Sequence, residues 1–292
     1  MRVPGSSANL GPGYDCIGLA LGFYDEVVVE LAPAGVEVQV DGEGAASIAG
    51  GESNLVVRSV RTALDRMGSP QPGLRLRCRN GVPHGRGIGS SAAAVVAGVV
   101  AARGLLEQPE LLDDVTALEI ASDLEGHPDN AAASLLGGIT VGWAGQGGAR
   151  AVRIVPHAEL EAVVCIGADG LSTAHARAML PATVPHADAA FTAGRAALLI
   201  EALSRRPELL LPATQERLHQ AYRSPAMPET ATLVEVLRSA GLAAVVSGAG
   251  PSVLVLGVCS PGLLSQVERA AGRGWHVVSP GLDLGGAVAT AT

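Results

Sequence analysis

The stretch LRLRCRNGVPHGRGIGSSAAAVVAGVV, residues 74–100, puts a strand, a glycine loop and a buried helix in immediate succession. Leu74, Leu76 and Cys78 alternate with Arg75, Arg77 and Arg79, the period of two expected of a strand with one buried face. Pro83, Gly85, Gly87 and Gly89 interrupt that pattern, and Ser90 and Ser91 open an alanine- and valine-rich segment predicted as a helix to about Leu106. A helix start exposes unpaired N–H groups and the positive end of its dipole, and glycine lets those donors approach an anion without side-chain obstruction. Pro83, His84, Gly85, Arg86, Gly87, Ile88, Gly89, Ser90, Ser91 and Ala92 therefore form a candidate phosphate cradle. The two serine hydroxyls are placed to reach phosphate oxygen or magnesium. An ordinary turn capped by serine is the competing reading of these residues taken alone.

Working outward, Val27–Leu31 and Val36–Val40 read as two strands joined by a turn at Pro33 and Gly35. Ser53–Arg66 reads as a helix stopped near Gly68 and Pro70, and Leu111–Leu124 as another. Glu125–Asn130 is a polar turn, followed by a short helical or extended transition over Ala131–Leu136. Six glycines between Gly137 and Gly148 mark turns and a lobe boundary near residue 150, giving expected lobes of 1–150 and 151–292. The second part is expected to open with strands at Arg153–Val155 and Ala162–Ile166. Helices follow over Ala187–Leu203, Thr214–Ala221 and Ala231–Ala240, and Ala243–Val246 and Val253–Val258 are paired strand candidates. This mixture indicates an α+β, two-lobe protein and no solenoid repeat.

Composition removes several functions. With 48% hydrophobic and 16% charged residues the chain is far from the disordered class. The net charge of −8 opposes attraction to nucleic acid or an anionic membrane, so neither is an expected partner. Every basic residue other than histidine is arginine. The absence of lysine rules out a Walker-type phosphate lysine, a Schiff-base lysine and a catalytic ammonium group. Cys16, Cys78, Cys165 and Cys259 are too scattered for a redox or zinc motif and read as free thiols. The longest apolar run, Ala92–Ala102, is too short to span a membrane, and without a secretion signal or disulfide pattern the cytoplasm is the expected compartment. No GxxxxGK[ST], HRD, DFG or HExxH sequence occurs, which sets aside P-loop NTPases, protein kinases and zinc hydrolases.

Three further segments share the glycine loop's small, polar character: SSANLGPGYD at 6–15, EGHPDN at 125–130 and SGAGPS at 247–252. Together with HGRGIGSSAAAVVAG at 84–98, and in this order across nearly the whole chain, they resemble the motifs of the GHMP small-molecule kinase superfamily, specifically of its homoserine kinases. Gly5, Tyr14 and Ile88 stand where the family more often has alanine, phenylalanine and leucine. The missing lysine argues against a mevalonate-kinase-like member.

The resemblance implies a ribosomal-protein-S5-like N-terminal lobe, a C-terminal α/β lobe, and ATP with Mg2+ bound near their junction. It implies that L-homoserine is the phosphoryl acceptor. It carries a magnesium role onto Ser91 and Glu119, and acceptor binding onto Asn9, Asp15, His127, Asn130, Arg177 and Arg223, with Arg217 a nearby alternative to Arg223. For a zwitterionic amino acid the chemistry is apt: arginines clamp the carboxylate, Asp15 receives the ammonium, and the amides and imidazole orient polar atoms. Asp129 is a candidate catalytic base or a brace for its turn. Another small alcohol as acceptor, or a nucleotide sensor without transfer activity, remains open, as does a homodimer.

Overall fold

Burial along Gly73–Asn80 follows the alternation of its sequence: Leu74, Leu76 and Cys78 are buried and the three intervening arginines exposed. In the computed structural model, which describes residues 1–168, 170–258 and 262–290, this strand lies inside the larger of two sheets. That sheet comprises β1 (Arg2–Asn9), β2 (Gly13–Ala32), β3 (Val36–Gly42), β4 (Gly73–Asn80), β5 (Ile139–Gly145) and β6 (Gly148–Ile154). Its order is β3-β4-β2-β5-β6, with β1 paired to β2. β2 and β3 are joined by a bend at residues 33–35 but do not pair with each other. β4 slots between them, antiparallel to β2 and parallel to β3.

Four helices cover one side of this sheet: α1 (Leu55–Arg66), α2 (Ser90–Arg103), α3 (Asp114–Glu125) and α4 (Asp129–Leu136). Asn54 starts α1 by accepting the Val56 and Val57 N–H groups on its side-chain oxygen. α2 is apolar on nearly every face, and such a helix must be enclosed. It packs against α1, α3, α4 and β1, with ten of its residues buried.

The smaller sheet contains β7 (Leu160–Ile166), β8 (Ala243–Val246), β9 (Val253–Val258) and β10 (His276–Val278), in the order β10-β7-β9-β8. Between β7 and β8 run α5 (Thr173–Ala178), α6 (His186–Ser204), α7 (Leu210–Ala213), α8 (Gln220–Arg223) and α9 (Pro228–Ser239), and α10 (Leu263–Ala271) precedes β10. One face of this sheet joins the main core through Ala162, Val164, Leu254 and Leu256, and the other buries Val163, Cys165, Val253 and Val255 against α9 and α10. The two lobes thus share a continuous core, which fixes the cleft between them. The chain then returns to the first sheet, where Leu282 bridges Leu21 and Val288 bridges Arg2.

Some elements differ from expectation. Residues 153–154 end the first sheet as part of β6, so the expected division at residue 150 falls inside a strand. Most of the helix expected over Thr214–Ala221 is a loop between α7 and α8, and only Gln220 and Ala221 enter α8. There the Glu216 carboxylate accepts the N–H groups of Leu218, His219 and Gln220, which turns the backbone out of a continuous helix. Cys16, Cys78 and Cys165 are free thiols, and Cys259 lies outside the described residues. Among the described residues no helix is long and apolar enough to cross a membrane.

Candidate active site

The glycine loop delivers an open helix end. Gly89 caps α2 in the left-handed region (φ 67°) and no side chain closes the helix start. The first-turn amides therefore keep their donors for a ligand. Close packing explains the glycines. A Cβ on Gly87 would lie 2.3 Å from the Ser247 carbonyl oxygen, and one on Gly89 would lie 2.2 Å from Ser6 Oγ. Ser247 Oγ donates to the Gly87 carbonyl at 2.7 Å, and Gly248 N–H donates to Ala8 O at 3.1 Å. The SGAGPS loop and the first motif thus hold the phosphate loop from behind.

Gly85, Gly87, Gly89, Ser90, Ser91 and Ala92 line a cleft of about 110 Å³ between the lobes. Ile88 does not: its side chain is buried in the core and its carbonyl accepts the Ser6 N–H. Arg86 reaches across to the Gly167 carbonyl, and Pro83 is half-buried outside the cleft.

The carboxylate beside Ser91 is Glu125. Ser91 Oγ donates to Glu125 Oε1 at 2.6 Å, and burial raises the Glu125 carboxyl above its ordinary value, against the lowering effect of that hydrogen bond. Glu119, the expected partner, lies elsewhere. It pairs with Arg150 and, at 3.6 Å, with Arg66, and packs beside Gly148. Both glutamates are on α3, but six residues apart, roughly 9 Å along a helix axis at 1.5 Å per residue. The last residue of α3, just before Gly126, comes level with the start of α2. Two oxygen donors in contact, one a partly desolvated carboxylate, suit a hard cation shared with phosphate.

Across the cleft the remaining expected residues converge. Asn9, Leu10 and Asp15 have positive φ (70°, 45° and 54°), a strained run for residues other than glycine. It is held by Asn9, whose Nδ2 donates to Gly248 O at 2.8 Å and whose Oδ1 accepts the Asp15 N–H at 3.0 Å. Asp15 forms a bidentate pair with Arg177 at 2.7 and 2.9 Å. Arg223 is only 2% exposed, whereas Arg217 points elsewhere, to Asp188. His127 Nδ1 lies 2.6 Å from Asp129 Oδ1, and this hydrogen bond raises the imidazole pKa above its ordinary 6.5. The same Asp129 oxygen accepts the Asn130 N–H at 2.7 Å, while Asn130 Oδ1 accepts from Ser6 Oγ at 3.0 Å.

A second cavity, of about 120 Å³, adjoins Ser90 and Ser91 and was not evident from the motifs. Val40, Ile48, Leu55 and His84 contribute to it from β3, the segment before α1, the start of α1 and the phosphate loop. Its lining is mostly apolar with Asn54 and Asn80 at hand, a chemistry suited to a planar heterocycle.

An open helix end, a Ser–Glu oxygen pair and an arginine-rich pocket share one cleft, an arrangement that suits a small-molecule kinase. Sequence comparison matches GHMP kinases N terminal domain at residues 54–138 and GHMP kinases C terminal at residues 189–275. The chain is 52% identical to homoserine kinase of Streptomyces coelicolor, covering 98% of this chain and 93% of that protein. It is 46% identical to homoserine kinase of Rhodococcus erythropolis, over 100% and 96% of the two chains. The crystal structure of homoserine kinase from Cytophaga hutchinsonii superposes with a TM-score of 0.86 at 25% identity, covering 98% of this chain and 95% of that one. The chain belongs to the GHMP kinase family, and within it to the homoserine kinases.

Proposed function

We propose that the protein transfers the γ-phosphoryl group of ATP to the side-chain hydroxyl of L-homoserine, giving O-phospho-L-homoserine for threonine synthesis in the cytoplasm. The observation that carries this reading is the pairing, in one cleft, of the open α2 end with a pocket holding two arginines and one aspartate. A triphosphate suits the first and an amino-acid zwitterion the second.

In this reading the triphosphate lies along Gly85–Ala92 and the adenine occupies the apolar cavity beside Ser90. Ser91 and Glu125 hold Mg2+, which supplies neutralisation of the charge on the transferring phosphoryl group. Arg223 and Arg177 take the acceptor carboxylate, and Asp15 exchanges its arginine partner for the acceptor ammonium. His127 and Asn130 orient the hydroxyl. Asp129 Oδ1 is already engaged by His127 and the Asn130 N–H, so Asp129 serves to set that turn. The hydroxyl proton leaves late, toward phosphate oxygen, and fixed donors and charges provide most of the rate.

The test is incubation of purified protein with ATP, magnesium and L-homoserine, with the product identified by mass spectrometry and phosphorus NMR. O-phospho-L-homoserine formed only with all three components supports the reading. ATP binding with no phosphorylated alcohol would favour a sensor instead.

A further inference from the structure

Arg223 carries a buried charge with no carboxylate in direct contact among the described residues. Its guanidinium is almost fully buried, yet its hydrogen-bond partners are all neutral: Ala176 O at 3.3 Å, His219 Nδ1 at 3.4 Å, Gly248 O and Tyr14 Oη at 3.5 Å. No carboxylate lies within ion-pair distance of it among the described residues, whereas Arg177 is matched by Asp15. Buried cations normally find an acidic partner.

Tyr14 links the two arginines. Its hydroxyl accepts from Arg177 Nη1 at 3.1 Å and faces Arg223 Nη2 at 3.5 Å. Its ring lies 5.7 Å from the Arg177 guanidinium carbon and 5.2 Å from that of Arg223, within range of favourable cation–π contact with both. Behind it, the ring of His219 stands 5.2 Å away, and its Nε2 is 2.8 Å from Gly11 O. Burial depresses the His219 pKa, so it is the neutral tautomer that donates from Nε2 and leaves Nδ1 to accept from Arg223.

We infer that Tyr14, backed by His219, is a positioning residue that holds Arg177 and Arg223 convergent on one point, so that Arg223 gains its counter-charge only from the acceptor's carboxylate. This rests on the assignment of an amino-acid acceptor and specifies which part of that acceptor Tyr14 serves. A hydroxyl that bridges both cations restrains two long side chains at once, and less rotamer freedom is then lost on binding. The role is specific: it concerns the carboxylate, not the ammonium or the alcohol.

Tyr14→Phe keeps the ring and its cation–π contacts and removes only the bridging oxygen. The comparison is between L-homoserine and 3-aminopropan-1-ol, which has the same alcohol and amine without the carboxylate. For L-homoserine, kcat/KM is expected to fall roughly fivefold through KM, the size of one ordinary hydrogen bond's net contribution, with kcat and the KM for ATP held within about twofold. For 3-aminopropan-1-ol, kcat/KM should stay within about twofold of wild type, because the group that the arginines receive is missing. Equal losses on both acceptors would show a merely structural role and overturn the inference, as would no loss on L-homoserine. A wild-type protein that does not turn over L-homoserine would refute the substrate assignment itself, a failure visible before any variant is made.

Discussion

Glu125→Gln keeps the size of the side chain and an acceptor for Ser91 Oγ, but removes the negative charge that sits 2.6 Å from that hydroxyl. Burial already raises the carboxyl of Glu125, which marks its charge as poorly screened by water. For a charge in such a place, unit charges 4 Å apart at an effective dielectric of 20 interact by about 4 kcal/mol. Removing one fixed electrostatic contribution of that kind costs roughly 10²–10³-fold in kcat. The expected result is therefore a kcat lowered by about two to three orders of magnitude, with partial recovery at high magnesium and a melting temperature no lower than wild type. Glu119→Gln provides the contrast. Its arginine partners are 38% and 55% exposed, so their loss should cost about 1 kcal/mol or less and lower the melting temperature by roughly 2 °C, with kinetics unchanged. The assay is coupled ATP turnover over a magnesium titration, alongside thermal melts of all three proteins. Wild-type kcat and magnesium dependence in Glu125→Gln, or their loss in a stable Glu119→Gln protein, would refute the placement of the metal.

Arg177→Ala removes two charge-assisted hydrogen bonds and leaves Asp15 without a partner, so KM for L-homoserine should rise about 10–100-fold while KM for ATP holds; equal rises in both would deny it an acceptor role. Gly89→Ala forces a side chain into a left-handed position 2.2 Å from Ser6 Oγ, and is expected to lower the melting temperature by several degrees and weaken nucleotide binding by calorimetry more than tenfold; normal binding would contradict an open helix end at this position. Activity should also fall on the acid side as Glu125 takes a proton, and more magnesium should move that fall to lower pH, because a bound cation favours the ionised carboxylate. For stability the sign reverses: a raised carboxyl contributes in full below its unfolded pKa, and that contribution is lost as pH rises through the folded value. The His127–Asp129 pair behaves likewise, contributing below 6.5 and fading as pH rises through the raised imidazole pKa. Melting temperature and kcat/KM measured across pH for wild type and Glu125→Gln separate these effects, since the variant should lose the Glu125 component of each profile.

Local pattern carried much of the fold. The alternation at Leu74–Arg79 and the apolar run after Ser91 each report their own burial, because a strand and an enclosed helix impose a period or its absence. Partnership is another matter. Nothing in Val27–Leu31 or Val36–Val40 says that β4 will enter between them, since a period of two fixes a face and not a neighbour. The loop at Thr214–His219 departs from expectation for a similar reason: Gln215, Glu216, Arg217 and Leu218 are good helix formers, but the Glu216 carboxylate offers the backbone stronger local acceptors.

In the site, the loops quoted from the sequence do meet, and Asn9, Asp15, His127, Asn130, Arg177 and Arg223 face one cleft. Glu119, which the family resemblance pairs with Ser91, lies mid-helix beside Arg66 and Arg150, and the sequence alone does not show which turn of α3 reaches the loop. Glu125, immediately before the C-capping Gly126, is the glutamate of α3 that comes level with the phosphate loop. The apolar cavity was invisible because its walls come from β3, the start of α1 and the glycine loop, segments that are far apart in sequence and individually unremarkable in composition.

The most direct test is kcat/KM, with ATP and magnesium saturating, for L-homoserine against L-threonine, mevalonate and galactose. A site built from Asp15, Arg177 and Arg223 should favour L-homoserine by at least about 10³-fold over the acceptors that lack an amino-acid head group, the scale on which unpaired buried polar groups reject a substrate. A higher kcat/KM for mevalonate or galactose would contradict the assignment of that pocket to an amino-acid zwitterion.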